Sequence, residues 1–143
     1  MSRIAGRSFL DTNILVSAFD PKAKFKREYA QLRITRALAA RDAVISFQVV
    51  QEFLSLALRK FPRPMTQPEA QAYLSQVLIP LCEVFPDASL YSSALSIADE
   101  TGWTFYDSLI VSSALAAGCG VLLTEDLQHG RTVRGLEIRN PFL

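Results

Sequence analysis

The sequence predicts one α/β domain, spanning residues 1–143, built on a central parallel sheet of four to five strands. Three observations carry that prediction. Short apolar runs alternate with longer stretches of helical period, 143 residues suit a single domain, and half of the residues are hydrophobic against 20% charged. A chain of this length buries roughly 70% of the surface its unfolded form exposes, so it needs no disulfide or metal staple. The apolar stretch from Leu109 to Ala117 is broken by serines and falls well short of the roughly 18 residues a membrane span requires. Residues 1–7 carry no apolar signal segment. The expectation is a cytoplasmic protein with no membrane partner.

The first strand is the apolar run Arg7 to Leu10, followed by Asp11-Thr12-Asn13, whose Asx residues suit a strand-to-loop exit. A helix over about Lys24 to Arg41 presents Phe25, Tyr29, Leu32 and Leu38 at near-helical spacing. Ala43 to Ser46, rich in β-branched residues, is the second strand. Gln48 to Lys60 is a helix stopped by Phe61-Pro-Arg-Pro64, because a proline disfavours helix in its predecessor. Helix resumes at Pro68, with Ala70, Leu74, Val77, Leu78 and Leu81 along one face. Cys82 to Phe85 is a third strand ended by Pro86. A helix from Ala88 to Thr101 closes on Gly102, and Thr104-x-x-Asp107 reads as a capping box opening the next, which runs to Ala117. Val121 to Thr124 is the fourth strand and a central one, being uniformly apolar before its threonine. Leu136 to Arg139 is a weak fifth.

Composition narrows the chemistry. Cys82 and Cys119 form no CxxC or Cys/His cluster, and reduced, buried thiols are the plain reading. The single histidine, His129, lies in a loop, and no nucleophile elbow exists for it to serve. Net charge is +1, yet it is unevenly spread. Residues 1–63 hold twelve of the fifteen bases, including Arg3, and balance to +7; residues 64–143 balance to −6. Such asymmetry hints at a polyanion partner, although solvated helix faces give the same count.

Ligands of parallel sheets bind at the carboxyl ends of the strands, and four acids fall at that edge. Asp11 follows the first strand, Glu52 lies one turn into the helix after the second, Asp107 opens a helix facing the same edge, and Asp126 follows the fourth strand. Each has a plain alternative: an Asx turn, a solvated helix glutamate, a capping box with Thr104, and a cap or turn beside Glu125. Taken together the alternatives weaken. Two like charges ~4 Å apart repel by about 4 kcal/mol at an effective dielectric of ~20, so acids meeting at one edge need cations or raised pKa values. Oxygen ligands without histidine or thiolate select Mg²⁺ or Mn²⁺ over zinc.

The series Phe-Leu-Asp11-Thr12-Asn13, Glu52, Phe-Tyr-Asp107-Ser108-Leu-Ile and Leu-Leu-Thr124-Glu125-Asp126-Leu, spaced by 41, 55 and 19 residues, resembles the PIN-domain nucleases. It is most similar to the VapC-type toxins of bacterial toxin–antitoxin modules. The resemblance covers essentially the whole chain. It implies a PIN-like three-layer α/β/α sandwich and a Mg²⁺-dependent endoribonuclease, usually a homodimer, silenced by a cognate antitoxin. The family's metal-binding and catalytic acids fall on Asp11, Glu52, Asp107 and Asp126. Its polar helper falls on Thr12 or Asn13 and its last-motif threonine on Thr124, and with Ser108 these would hold the acids in place. One departure stands out: where some relatives carry a further acid, this chain has Leu127-Gln128, leaving a second metal site incomplete. Glu125 substitutes only if it faces inward, against its alternation with Asp126.

On this reading Asp11, Asp107 and Asp126 surround the main ion, and Glu52 binds a second ion or orients the attacking water. Lys22, Lys24, Lys26, Arg59 and Arg63, from the basic stretches Lys22 to Arg27 and Arg59 to Arg63, are the candidates to grip the RNA backbone; Phe19, Phe61 and Tyr106 are candidates to stack on bases, with core packing the plainer fate for most of the three. A receiver-like phosphoacceptor would want a late lysine, and none follows Lys60. A haloacid-dehalogenase-type phosphatase would want a second aspartate where Asn13 stands. The remaining alternative is a PIN-like module that binds RNA or protein without cleaving.

Overall fold

A computed structural model describes residues 6–143, which leaves Arg3 outside the described residues. Six strands form one sheet: β1 (Ser8–Leu10), β2 (Ala43–Ser46), β3 (Cys82–Val84), β4 (Val121–Leu123), β5 (Thr132–Val133) and β6 (Leu136–Arg139), in the order β3-β2-β1-β4-β6-β5. All neighbours are parallel except β5 and β6. The count exceeds the expected four to five because β5 is only two residues long. It is fixed by a tight turn at Arg134 and Gly135, both at positive φ (50° and 83°), as a two-residue hairpin requires.

Seven helical segments connect the strands: α1 (Thr12–Ser17), α2 (Lys24–Ala40), α3 (Phe47–Arg59), α4 (Gln67–Tyr73), α5 (Ile79–Leu81), α6 (Ala88–Thr101) and α7 (Phe105–Ala116). From β1 to β3 the chain advances along the sheet, then β3 to β4 reverses past β1. Right-handed crossovers therefore place α6 and α7 on the face opposite α1 to α5. All four residues of β2 are buried, as a strand covered on both faces demands. The order reverses between β1 and β4, so their carboxyl ends open a crevice at the switch point.

Several expectations are corrected. Asp11 to Asn13 does not lead into a loop; Asp11 is the N-cap of α1, its carboxylate accepting from the Thr12 amide. The same short polar side chain serves either role. On α2 the core side is Ala30, Ile34 and Ala37, while Phe25 and Leu32 stand exposed, because alanines let this helix sit close. The helix from Pro68 is not uniform: between α4 and α5 it widens into a π-turn, Leu74–Leu78, just before Pro80, which lacks the N–H for the regular ladder. At Thr104 only half of the expected box forms, its hydroxyl accepting from the Asp107 amide; the reciprocal pair occurs at Thr66 and Glu69. Gly102, at φ +78°, does close α6.

The cysteines are free thiols; Cys119 is buried, which pushes it up to about 11, beyond reactivity near neutral pH. His129 is exposed and accepts from the Asn140 amide through Nδ1 at 2.9 Å.

Candidate active site

Register brings the first and last motifs together. Leu10 pairs with Leu123, so Asp11 leaves β1 beside Thr124 leaving β4, and the Asp11 amide donates to the Leu123 carbonyl at 3.1 Å. One Asp11 oxygen accepts from the Thr12 amide and the other from the Thr124 hydroxyl, both at 2.7 Å. The Thr124 hydroxyl in turn accepts from Asn13 Nδ2 at 3.2 Å and from the Asp126 amide at 3.0 Å. One donated and two accepted bonds exhaust a hydroxyl. Asn13 Oδ1 completes the ring by accepting from the Glu125 amide. Thr124→Val keeps the shape but strips three bonds from a fully buried position. It is expected to cost about 1–3 kcal/mol and about tenfold or more in activity, with Thr124→Ser restoring most of both. Urea melts and initial rates check this.

Glu52, on α3, accepts from the Thr12 hydroxyl at 2.7 Å. Asp107 lies in the first turn of α7, its amide held by Thr104. All four acids line one cavity of about 630 Å³, with Thr12, Asn13, Gln48, Gln51, Tyr106 and Ile110 among the other lining residues. The capping role of Asp107 thus falls to its backbone, which leaves its carboxylate to the cavity. The acids grade from buried Asp11 through half-buried Glu52 and Asp107 to exposed Asp126. Among the described residues no three of them form a ready cluster for one ion. The fourfold convergence expected from sequence is therefore a shared cavity rather than a preformed shell. Glu125 turns away, pairing with Lys26 at 2.5 Å. Ser108 is buried beside Asp107, and its hydroxyl has no partner among the described residues.

Electrostatics favour a cation here. The Asp11 carboxyl is raised to about 7, first by burial and further by Asp126 and Glu52, against the pull of the Thr124 and Thr12 hydrogen bonds. Among the described residues no lysine, arginine or histidine lines the cavity to offset that charge. An all-oxygen donor set with an uncompensated buried carboxylate fits Mg²⁺ or Mn²⁺. The sign of the pH effect follows. Between the ~3.9 of an unfolded aspartate and about 7, the folded chain binds more protons than the unfolded one, so Asp11's contribution makes stability fall as pH rises. The melting temperature of the metal-free chain should drop by on the order of 5 °C from pH 5 to 8; a flat profile would contradict the assignment.

The basic residues are more dispersed. Lys24 pairs with Glu28, Lys26 with Glu125 and Arg63 with Glu69, while Lys22 and Arg59 are exposed without an ion pair among the described residues. A second cavity of about 330 Å³ shares Asn13 and Val16 with the acidic one and is lined by Lys26 and Lys60. Lys60 lies within the basic stretch Arg59 to Arg63 that the sequence points to, whereas sequence reasoning did not single out Gln48. Phe19 and Phe61 belong to an aromatic cluster with Phe53 and Tyr73, whereas Tyr106 is 66% exposed.

A family model described as PIN domain matches residues 8–134. No curated protein matches. Among solved structures, a toxin–antitoxin complex from Klebsiella pneumoniae superposes with a TM-score of 0.64 at 17% identity, over 90% of this chain and 94% of that one. A DNA-bound VapBC from Salmonella typhimurium gives 0.62 at 20% identity, covering 93% and 96%. Mycobacterium tuberculosis VapC20, named as a sarcin–ricin loop cleaving toxin, gives 0.57 at 19% identity, covering 83% and 89%. At these identities the likeness is one of fold.

Proposed function

The chain belongs to the PIN domain family, and we propose that it is a Mg²⁺-dependent endoribonuclease acting as the toxin of a toxin–antitoxin pair. The observation that carries the reading is the cavity at the β1/β4 switch point, which acids from four separate segments line with no cation beside them among the described residues.

Asp11, Asp107 and Asp126 would hold the ion, Mg²⁺ or Mn²⁺, with Glu52 toward a second ion or the attacking water. When bound, the ion lowers the pKa of water and neutralises charge on the phosphoryl oxygens. The chain does the positioning. Asp11 is fixed through Thr12 and Thr124, so the buried end of the site does not rotate. Glu52, steadied by the Thr12 hydroxyl, orients the water for in-line attack. Asp107 and Asp126, less buried, leave the cavity open for the ion and the phosphate to enter. Lys22, Arg59 and Lys60 grip the flanking backbone directly. Lys24 and Arg63 leave acid partners whose exposed pairing is worth less than about 1 kcal/mol to do the same, while Lys26 has to leave the half-buried Glu125. Binding weakens when Mg²⁺ is chelated and falls with salt as phosphate contacts do.

The substrate on this reading is a loop or single-stranded segment of a structured RNA. A cognate antitoxin covers the acidic cavity, and the active form is a homodimer. Inducing the chain alone in a bacterial host tests the toxin role. Growth should stop with discrete RNA fragments, and Glu52→Gln should relieve both. Arrest by both proteins without RNA fragments would replace cleavage by the non-catalytic binding module.

A further inference from the structure

We propose that the wall of the cavity formed by Gln48, Tyr106 and Ile110 is a nucleobase pocket, in which Tyr106 stacks on a base beside the scissile phosphate and Gln48 Oε1 accepts from an amino group on its edge. This rests on RNA being the ligand of the acidic cavity, and it names which part of the RNA the neutral wall takes.

The cavity has two characters. Its lining combines the four carboxylates with neutral groups, Tyr106, Ile110 and the amides of Gln48 and Gln51. A phosphate gains nothing from a neutral wall that offers no cation, whereas a flat, uncharged base with N–H groups on its edge matches it. Tyr106 stands 66% exposed at the cavity, immediately before Asp107 in the chain. A base on its ring therefore lies next to a group that would bind the reacting phosphate's metal. Its ring meets Phe105 edge-on at 5.7 Å, and Phe105 in turn lies 6.4 Å from Tyr91.

Gln48 supplies an independent observation. It is only 4% exposed, and its Nε2 donates to the Tyr106 carbonyl at 3.2 Å. That carbonyl can only accept, so the amide cannot be flipped, and Oε1 is the atom left over. Among the described residues Oε1 has no hydrogen-bond partner, and it exposes almost no surface, so contact with a base requires a small turn of the amide toward the cavity that Gln48 lines. A buried acceptor left unpaired is a standing cost that a ligand N–H relieves. The same bond ties the recognition amide to the backbone of the stacking residue, so the two act on one base. Adenine, cytosine and guanine offer an amino N–H; uracil, whose one edge N–H sits between two carbonyls, is disfavoured.

Equilibrium binding of short labelled oligo(A), oligo(C) and oligo(U) by the full chain, read by anisotropy beside cleavage of the same RNAs, tests the pocket. Wild type should prefer oligo(A) and oligo(C) to oligo(U). Tyr106→Ala should weaken binding about tenfold, the scale of one lost stacking contact, while Tyr106→Phe stays within about twofold of wild type. Gln48→Met, of similar shape without the acceptor, should erase the base preference with the fold intact by circular dichroism. Equal affinity for the three RNAs, or a Tyr106→Ala protein that binds as wild type, would overturn the pocket even if cleavage is normal. Base-selective binding that depends on Tyr106 and Gln48, without cleavage, would leave the pocket standing and overturn the nuclease instead.

Discussion

Asp11→Asn is expected to stop RNA cleavage, by a factor of about a thousand or more, while flattening the pH dependence of melting. The two effects have one origin. Asp11 sits where β1 and β4 diverge, buried among residues that supply hydrogen bonds but no positive charge. Asparagine keeps the shape, and its oxygen still accepts from the Thr12 amide. Its amino group then faces the Thr124 hydroxyl, whose lone pairs already accept from Asn13 and Asp126, so one of those bonds is given up to accommodate it. What disappears is the charge, and with it both the anchor for a cation and the proton taken up near pH 7. Above that pH the metal-free variant should melt at or above the wild-type temperature, the sign expected when a functional residue is held against stability. Thermal melts at pH 5 and 8 with cleavage rates on the same samples check both. Cleavage within tenfold of wild type would remove Asp11 from the chemistry.

Phe53→Ala is expected to cost about 3–5 kcal/mol, the range for truncating a fully buried phenylalanine. Phe53 is fully buried and stacks on Tyr73 with ring centroids 4.8 Å apart; Phe61 meets it edge-on at 5.8 Å and Phe19 lies 5.8 Å away. These rings join α3 to the segment after α1 and to α4. Because α3 carries both Gln48 and Glu52, the cluster sets the height of the cavity's α3 side over the sheet. Denaturant midpoints measure the cost, and a loss below about 1 kcal/mol would mean the neighbouring rings close the gap unaided.

The alternation of strands and helices was legible because β1, β2 and β4 are compact apolar runs whose ends carry polar residues. The acids were legible for the same reason: a carboxylate directly after such a run has to lie at the sheet's edge. Helix α1 was not, since Asp11 makes an Asx turn and an N-cap with the same atoms. Nor was the inner face of α2, where side-chain size misleads: Ala30 and Ala37 are buried and Phe25 is 65% exposed. The Thr124 hydroxyl, placed by the motif, gave no hint of three simultaneous bonds, which arise only when β1 and β4 pair. Gln48 left no sequence signal, because a glutamine in the first turn of a helix reads as solvated until the fold buries it.

The account stands or falls on whether these acids and a divalent ion cut RNA. The direct measurement is cleavage of bulk RNA by the purified chain, freed of any antitoxin, in Mg²⁺, after chelation, and after Mg²⁺ is restored. Endonucleolytic fragments that appear with Mg²⁺, stop with the chelator and return with the ion are the predicted result. Intact RNA in all three, or fragments formed equally well under chelation, would contradict it.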